Sequence, residues 1–224
     1  MVSQKRVQIG LLHSQTGTMA ISELPLLEAE MLAIDEINAN GGVLRHKIEY
    51  IIEDGASDPE IFAKKAASLI LKNNISVLFG GWNSHSRKAV KRIVEKHNAL
   101  FWYPMQYEGL EESTNIFYTG SCLNQQIMPA LEWCWDQGWR TYYLVGSNYI
   151  YPITANKLIA SVLIHKNGNV VGEKYLPLGH TDFSEVIADL GHTRPDAIIN
   201  TLNGDSNIHF FEQLYMHGCA WWRG

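Results

Sequence analysis

The chain has 224 residues, 46% of them hydrophobic, which is enough for a sizeable core in one large domain or two small ones and excludes a disordered chain. With 18 Lys and Arg against 23 Asp and Glu the formal charge is −5, the wrong sign for a nucleic-acid or anionic-membrane binder that relies on clustered cations. No run approaches the roughly 18 to 20 apolar residues that a membrane-inserted helix needs.

Val7, Ile9 and Leu11 predict a first strand, followed by a helix whose apolar stripe is Leu27, Met31, Ile34 and Ile37 and which stops at Asn40-Gly41-Gly42. Ile48 to Ile52 predicts a second strand. Asp58-Pro59 supplies an N-cap and a first-turn proline for a helix carrying Phe62, Ala66, Leu69 and Ile70. Val77 to Phe79, a helix from Ser84 to His97, Leu100 to Tyr103 and Ile116 to Tyr118 continue the alternation. A helix from Asn124 to Asp136 then leads into Tyr142 to Val145 (strand), Ile153 to His165 (helix) and Val170 to Tyr175 (strand). Asp182 to Leu190 (helix), Ala197 to Asn200 (strand) and Asn207 to His217 (helix) complete the chain. Strands joined by helical crossovers pair in parallel, so the expected fold is a doubly wound α/β architecture, with a boundary between two lobes within Thr119 to Asn124.

Met1 to Arg6 is basic, but the apolar stretch after it is too short for a signal peptide and runs into His13-Ser14-Gln15-Thr16 instead of a cleavage site. Cys122, Cys134 and Cys219 are odd in number and lack C-x-x-C spacing. Three reduced thiols and a cytoplasmic location are therefore expected, although a periplasmic chain stripped of its leader reads the same way.

Open parallel sheets collect ligands beyond the carboxyl ends of their strands. The segments expected there are His13 to Thr18, Gly80 to Ser84, Tyr103 to Glu108, Gly146 to Pro152 and Leu202 to Asn207, rich in hydroxyls, amides and aromatic rings. Ser84 reads as an N-cap serine or as a donor to a ligand oxygen. Trp82, Tyr103, Tyr107, Tyr149 and Tyr151 read as core or as the walls of a small polar site, and Asp205 as a helix cap or an acceptor for ligand N–H groups. Arg87 and Lys88, one turn into the third helix, are expected in solvent, and the strand-end segments carry no other Arg or Lys. A small uncharged ligand with donors and acceptors fits that scarcity.

No G-x-G-x-x-G follows the first strand, and neither a G-x-x-x-x-G-K-[ST] loop nor a G-x-S-x-G elbow occurs, so dinucleotide, nucleotide and hydrolase readings lack an anchor. No cofactor, metal site or catalytic residue is expected. His180-Thr181-Asp182 is the one close His/Asp pair, and it has neither H-x-x-x-H spacing nor a cysteine partner.

The segments GLLHSQTGTMAIS, AIDEINANGGV, FGGWNSHSRKAV, YPMQYEG, NIFYTG, NQQ, YIYPITANK and LNGDSN together resemble the urea and short-chain amide branch of the type I periplasmic binding proteins, in order along nearly the whole chain. That branch includes urea receptors of ABC transporters and amide sensors of amidase operons. The resemblance implies two Rossmann-like lobes on a hinge, with a small amide held in the cleft between them. It carries an aromatic and a serine onto Trp82 and Ser84, the Y-P-x-x-Y-E-G loop onto Tyr103, Pro104, Tyr107, Glu108 and Gly109, and a second-lobe aromatic motif onto Tyr149 and Tyr151. Met105-Gln106, in the loop's variable places, leans toward the urea side. The candidate ligand-binding set is thus Trp82, Ser84, Tyr103, Gln106, Tyr107, Glu108, Tyr149, Tyr151 and Asp205.

The implied partners are urea or a short amide, together with a transporter permease or a regulatory protein. Members of the family are longer, their chains crossing back to complete each lobe. Lobes at 1–120 and 121–224 are accordingly expected to be C-terminally truncated, with open apolar faces that favour self-association or a partner over Trp221 and Trp222. Two other readings stand beside the receptor: an α/β enzyme acting on amides through a cysteine or Glu108, and a fragment that binds nothing.

Overall fold

The computed structural model describes residues 6–217. Fifteen elements alternate in chain order: β1 (Val7–His13), α1 (Ala20–Ala39), β2 (Ile48–Asp54), α2 (Pro59–Leu71), β3 (Val77–Gly80), α3 (Ser84–His97), β4 (Leu100–Tyr103) and β5 (Ile116–Tyr118), then α4 (Leu123–Asp136), β6 (Thr141–Ser147), α5 (Ile150–His165), β7 (Asn169–Leu176), α6 (Ser184–Thr193), β8 (Ala197–Thr201) and α7 (Ser206–Met216). The architecture is α/β with parallel sheets, as the alternation predicts. Cys219, Trp221 and Trp222 lie outside the described residues. The chain divides into two compact units, one containing the residues up to Gln106 with Leu110–Gly120, the other Tyr107–Gly109 with the residues from Ser121 onward.

In the first unit five parallel strands run in the order β2-β1-β3-β4-β5. Leu27 and Ile34 of α1 pack on Ile9 and Leu11, with Ile48, Val77 and Phe79 around them. An apolar pocket of about 160 Å³ remains under this helix, lined by Ile9, Leu11, Ile34, Ile37 and Phe79 among others. Leu12, Leu78 and Phe101 point to the alternate face and are fully buried. There α2 contacts β1 and β2, and α3 contacts β4. Phe79, Trp102 and Phe117 occupy consecutive registers of β3, β4 and β5 and form a stack, with ring centroids 6.0 Å and 4.3 Å apart and planes 11° from parallel.

In the second unit β6 lies between β7 and β8 and is buried on both faces. Tyr143 and Val145 join Phe183, Ile187 and Leu190 of α6 and its approach and Phe210 and Leu214 of α7, whereas Tyr142 and Leu144 join Leu131 of α4 and Ile159 and Leu163 of α5. Two apolar faces on one strand match the continuous hydrophobic run expected of a central parallel strand.

Local chemistry sets the element boundaries. Asp58 caps α2 by accepting from the Glu60 and Ile61 N–H groups, and Pro59 takes a place in its first turn. Asn98 ends α3 in the left-handed conformation. Helix α1 begins at Ala20, about two turns before the first residue of its periodic stripe, and accommodates Pro25 in its interior. Gly80 joins β3 to the next loop with φ 134°, and a Cβ there would stand 2.0 Å from the Leu12 carbonyl oxygen. Gly80→Ala is therefore expected to lower unfolding stability by about 1–3 kcal/mol or more, measured by denaturant titration, because neither φ nor the neighbouring strand can yield.

Candidate functional site

Parallel register lines up the carboxyl ends of the first unit's strands. His13 pairs with Asp54, Leu12 with Gly80, and Tyr103 with Tyr118. The loops after β1, β3 and β4 therefore start from one edge, where helix N-termini also present backbone N–H groups.

The loop after β3 is built by its glycines. The Gly81 N–H donates to the Leu12 carbonyl at 3.0 Å, drawing the turn against β1. The N-cap of α3 is Asn83, not Ser84: its side chain accepts from the Ser86 N–H at 2.8 Å. Ser84 is the first helical residue and is buried, and its Oγ accepts from Arg87 Nη1 at 2.9 Å. Trp82 is half-buried, and its carbonyl accepts from the hydroxyl of the fully buried Tyr103.

The expectation that Arg87 is solvated is overturned. Its side chain is fully buried, its Nε donates to Glu111 Oε1 at 2.9 Å, and its Cζ lies 4.9 Å from the centroid of the Tyr103 ring. Lys88, partly exposed, donates to Glu111 Oε2 at 2.6 Å, and the Tyr118 hydroxyl donates to Oε1 at 2.8 Å. Burial pushes the Glu111 carboxyl up, but hydrogen bonds from Lys88, Arg87 and Tyr118 and the Arg87 charge outweigh it and hold the group at about 2. The cations that sequence reading sent to solvent are thus held in an ionic cluster beneath the β3 loop.

A second cluster stands at the end of β1. His13 is fully buried, with Nε2 3.0 Å from Glu30 Oε2 and Nδ1 3.7 Å from Glu23 Oε2, the latter a Coulombic contact beyond hydrogen-bond reach. Burial alone would push the imidazolium down, but Glu23 and Glu30 outweigh it and raise it to about 9. Glu23 in turn accepts from the N–H of Ser14 at 2.7 Å and from its hydroxyl at 3.0 Å, and Ser14 Oγ accepts from the Ser57 N–H at 3.0 Å. Asp54 accepts from the N–H groups of Gln15 and Ala56 and from the Thr16 hydroxyl. The loops after β1 and β2 are thereby fixed to each other.

In the second unit Tyr149 and Tyr151 are buried in an apolar cluster with Leu123 and Ala155. The Tyr151 hydroxyl donates to Gln126 Oε1 at 3.3 Å, and burial with the nearby Glu108 charge pushes its phenol up to about 12. Glu108 is buried, and Tyr107 is held by its N–H to the Ser121 carbonyl at 3.1 Å. Asp205 occupies the N-cap position of α7 but in helical conformation, and its side chain makes no capping hydrogen bond. The Asn203 N–H donates to Ser147 Oγ at 2.9 Å across the ends of β6 and β8. Cys134 is buried, and burial pushes its thiol up, away from the thiolate a nucleophile needs.

The structure thus brings Trp82, Ser84 and Tyr103 together around one loop of the first unit, with half-buried Gln106 farther along the chain after β4. Tyr107, Glu108, Tyr149, Tyr151 and Asp205 belong to the second unit. Sequence reading missed His13, Glu23, Asn83 and Glu111. A signal for the first pair existed: Glu23 and Glu30 fall on the same helical stripe as Leu27 and Ile34, and carboxylates on a core-facing stripe call for a buried cation.

A family model described as a periplasmic binding protein domain matches residues 7–220. The fold is similar to that of a periplasmic binding protein from Burkholderia mallei, with a TM-score of 0.85 and 19% identity over 96% of this chain and 58% of that one. An ABC-transporter solute-binding protein from Rhodopseudomonas palustris, in complex with 3,4-dihydroxybenzoic acid, aligns with a TM-score of 0.84 and 20% identity over 95% of this chain and 59% of its own. The branched-chain amino acid transporter binding protein LivJ from Streptococcus pneumoniae, in complex with isoleucine, aligns with a TM-score of 0.81 and 19% identity over 96% of this chain and 62% of its own. The chain therefore spans about three fifths of the length of these structures.

The His13 cluster generates a pH dependence with a definite sign. A histidine raised from 6.5 to about 9 by folding stabilises the folded state fully below 6.5, and that contribution is lost as pH rises through 9. Denaturant titrations across this window are expected to show falling stability, and His13→Gln is expected to remove that slope.

Proposed function

Because the chain belongs to the periplasmic binding protein domain family, we propose that it is a solute-binding receptor whose ligand is urea or a short-chain amide. The observation that carries the ligand class is the set of groups gathered at the start of α3. Asn83 caps the helix, and Ser84 next to it, held by Arg87 at 2.9 Å, carries a hydroxyl of the type that pairs with both the carbonyl and the N–H of an uncharged amide. Trp82 supplies an aromatic wall beside it, with Tyr103 holding the Trp82 carbonyl in place.

Charge separates this ligand class from that of the similar structures. Both 3,4-dihydroxybenzoic acid and isoleucine carry a carboxyl group, which commonly recruits an Arg or Lys. Here Arg87 is already matched by Glu111 within hydrogen-bond distance. An uncharged amide meets donors and acceptors at this edge without having to displace that ion pair.

Delivery of the solute to a transporter permease and reporting of an amide to a regulatory partner both begin with the same binding step, and both are consistent with this reading. The family is one of periplasmic domains, which does not support the cytoplasmic location expected from the thiols.

The test is thermal and calorimetric. Urea, formamide, acetamide and propionamide are to be screened, and a true ligand at about one hundred times its dissociation constant should add roughly 2.7 kcal/mol of stability. Ser84→Ala should weaken binding by about tenfold, the worth of one lost hydrogen bond near 1.4 kcal/mol. No response from a folded sample to any of the four would overturn the amide reading.

A further inference from the structure

We propose that the pocket under α1 is a further binding site, one that takes a small hydrocarbon ring of about the size of benzene. The inference stands apart from the amide reading, since the pocket shares no residue with the loop at the start of α3.

The pocket follows from the spacing along α1. Glu30, Ala33, Ile34 and Ile37 stand at i, i+3, i+4 and i+7 and so share one side of the helix. Ile9 and Leu11 of β1, Ile48 of β2 and Phe79 of β3 complete the lining. Ala33 places a methyl where its neighbours on this side carry longer chains, and the space left is about 160 Å³. Ile9, Leu11 and Ile34 are buried, whereas Ala33 and Ile37 reach solvent, so the mouth lies at these two. Phe79 is held by stacking on Trp102 with ring centroids 6.0 Å apart, which keeps this wall from folding inward and closing the gap.

The chemistry of the lining selects against water and polar molecules. Glu30 is the one ionisable residue among the described residues that line the pocket, and its Oε2 is turned to His13 Nε2 at 3.0 Å. The surface presented to an occupant is almost wholly carbon. Water inside finds no partner, and weakly held water is displaced by an apolar group at a gain. Apolar cavities of about 150 Å³ stay dry and admit benzene. The space under α1 is of that size, and a ring entering it buries its surface against carbon without leaving a polar group unpaired.

Four of the lining residues are isoleucines, which makes the site directly readable. In protein isotope-labelled at the isoleucine methyls, benzene is to be titrated and followed by NMR, because its ring current moves the signals of the methyls it touches. Saturable shifts are expected at Ile9, Ile34, Ile37 and Ile48, with Ile159 and Ile187 in the core of the second unit unmoved. Pyrimidine has the same shape, but its nitrogens lose water without gaining a donor, so it should bind at least about tenfold more weakly. Ala33→Leu puts an isobutyl group at the mouth, at an exposed helix position that suits leucine, and should abolish the saturable shifts.

Shifts that grow without saturating, or that reach both units alike, are partitioning and overturn the proposal, as does a folded wild type that shows none. Lining signals that change on dilution without benzene would mean that a second copy covers the mouth, which also overturns it. Equal binding of pyrimidine rejects the apolar class, and saturable shifts that persist in folded Ala33→Leu put the ring elsewhere. If Ala33→Leu does not fold, the methyl map and the pyrimidine comparison on the wild type decide the question.

Discussion

Pairing β1 in parallel with both β2 and β3 sets His13 beside Asp54 and Leu12 beside Gly80, and this alignment decides where each polar group of the first unit's edge can stand. Parallel strands need a crossover, and the crossover returns every loop to the same end of the sheet. Gly80 depends on the alignment most directly, since its backbone passes against Leu12 with no room for a side chain. From that close approach follow the turn through Gly81, the position of Asn83 at the start of α3, and the placement of Ser84 and Arg87 three residues apart on the first turn of the helix.

Two buried ionic clusters occupy this edge, and they differ in what they hold. The cluster around His13 ties the loops after β1 and β2 together through Ser14 and Ser57. The cluster around Glu111 ties α3 to the segment before β5. Burying charge is costly, and a hydrophobic replacement of equal volume is often no less stable. What the ion pairs contribute is direction: each carboxylate fixes several donors at once, so the loops they anchor have one arrangement.

Much of the fold was legible from periodicity. The stripe in α2, the Asp58-Pro59 start and the buried run of β6 each correspond to a single physical demand, and the elements fall where those demands place them. The start of α1 was not legible, because Pro25 reads as a breaker and the residues before it carry no apolar period. The site was legible only in part. Trp82, Ser84 and Tyr103 do converge on one loop, but the identity of the cap went to the wrong neighbour, since Asn83 and Ser84 are equally good capping residues and only the backbone angle at Asn83 separates them. Arg87 was placed in solvent because its partner, Glu111, lies 24 residues away. Pairings at that range leave no local period to read.

The ring stack across β3, β4 and β5 has a consequence for how the shortest strands find their places. Strands β4 and β5 have 4 and 3 residues, too few for backbone bonding alone to distinguish one alignment from the next. Sliding β5 by one residue would carry the Phe117 ring to the opposite side of the sheet and strip the Trp102 indole of its nearer stacking neighbour, leaving it the Phe79 ring on its other side. The aromatic column therefore works as a ratchet, admitting a single alignment at the sheet's margin and rejecting its near misses.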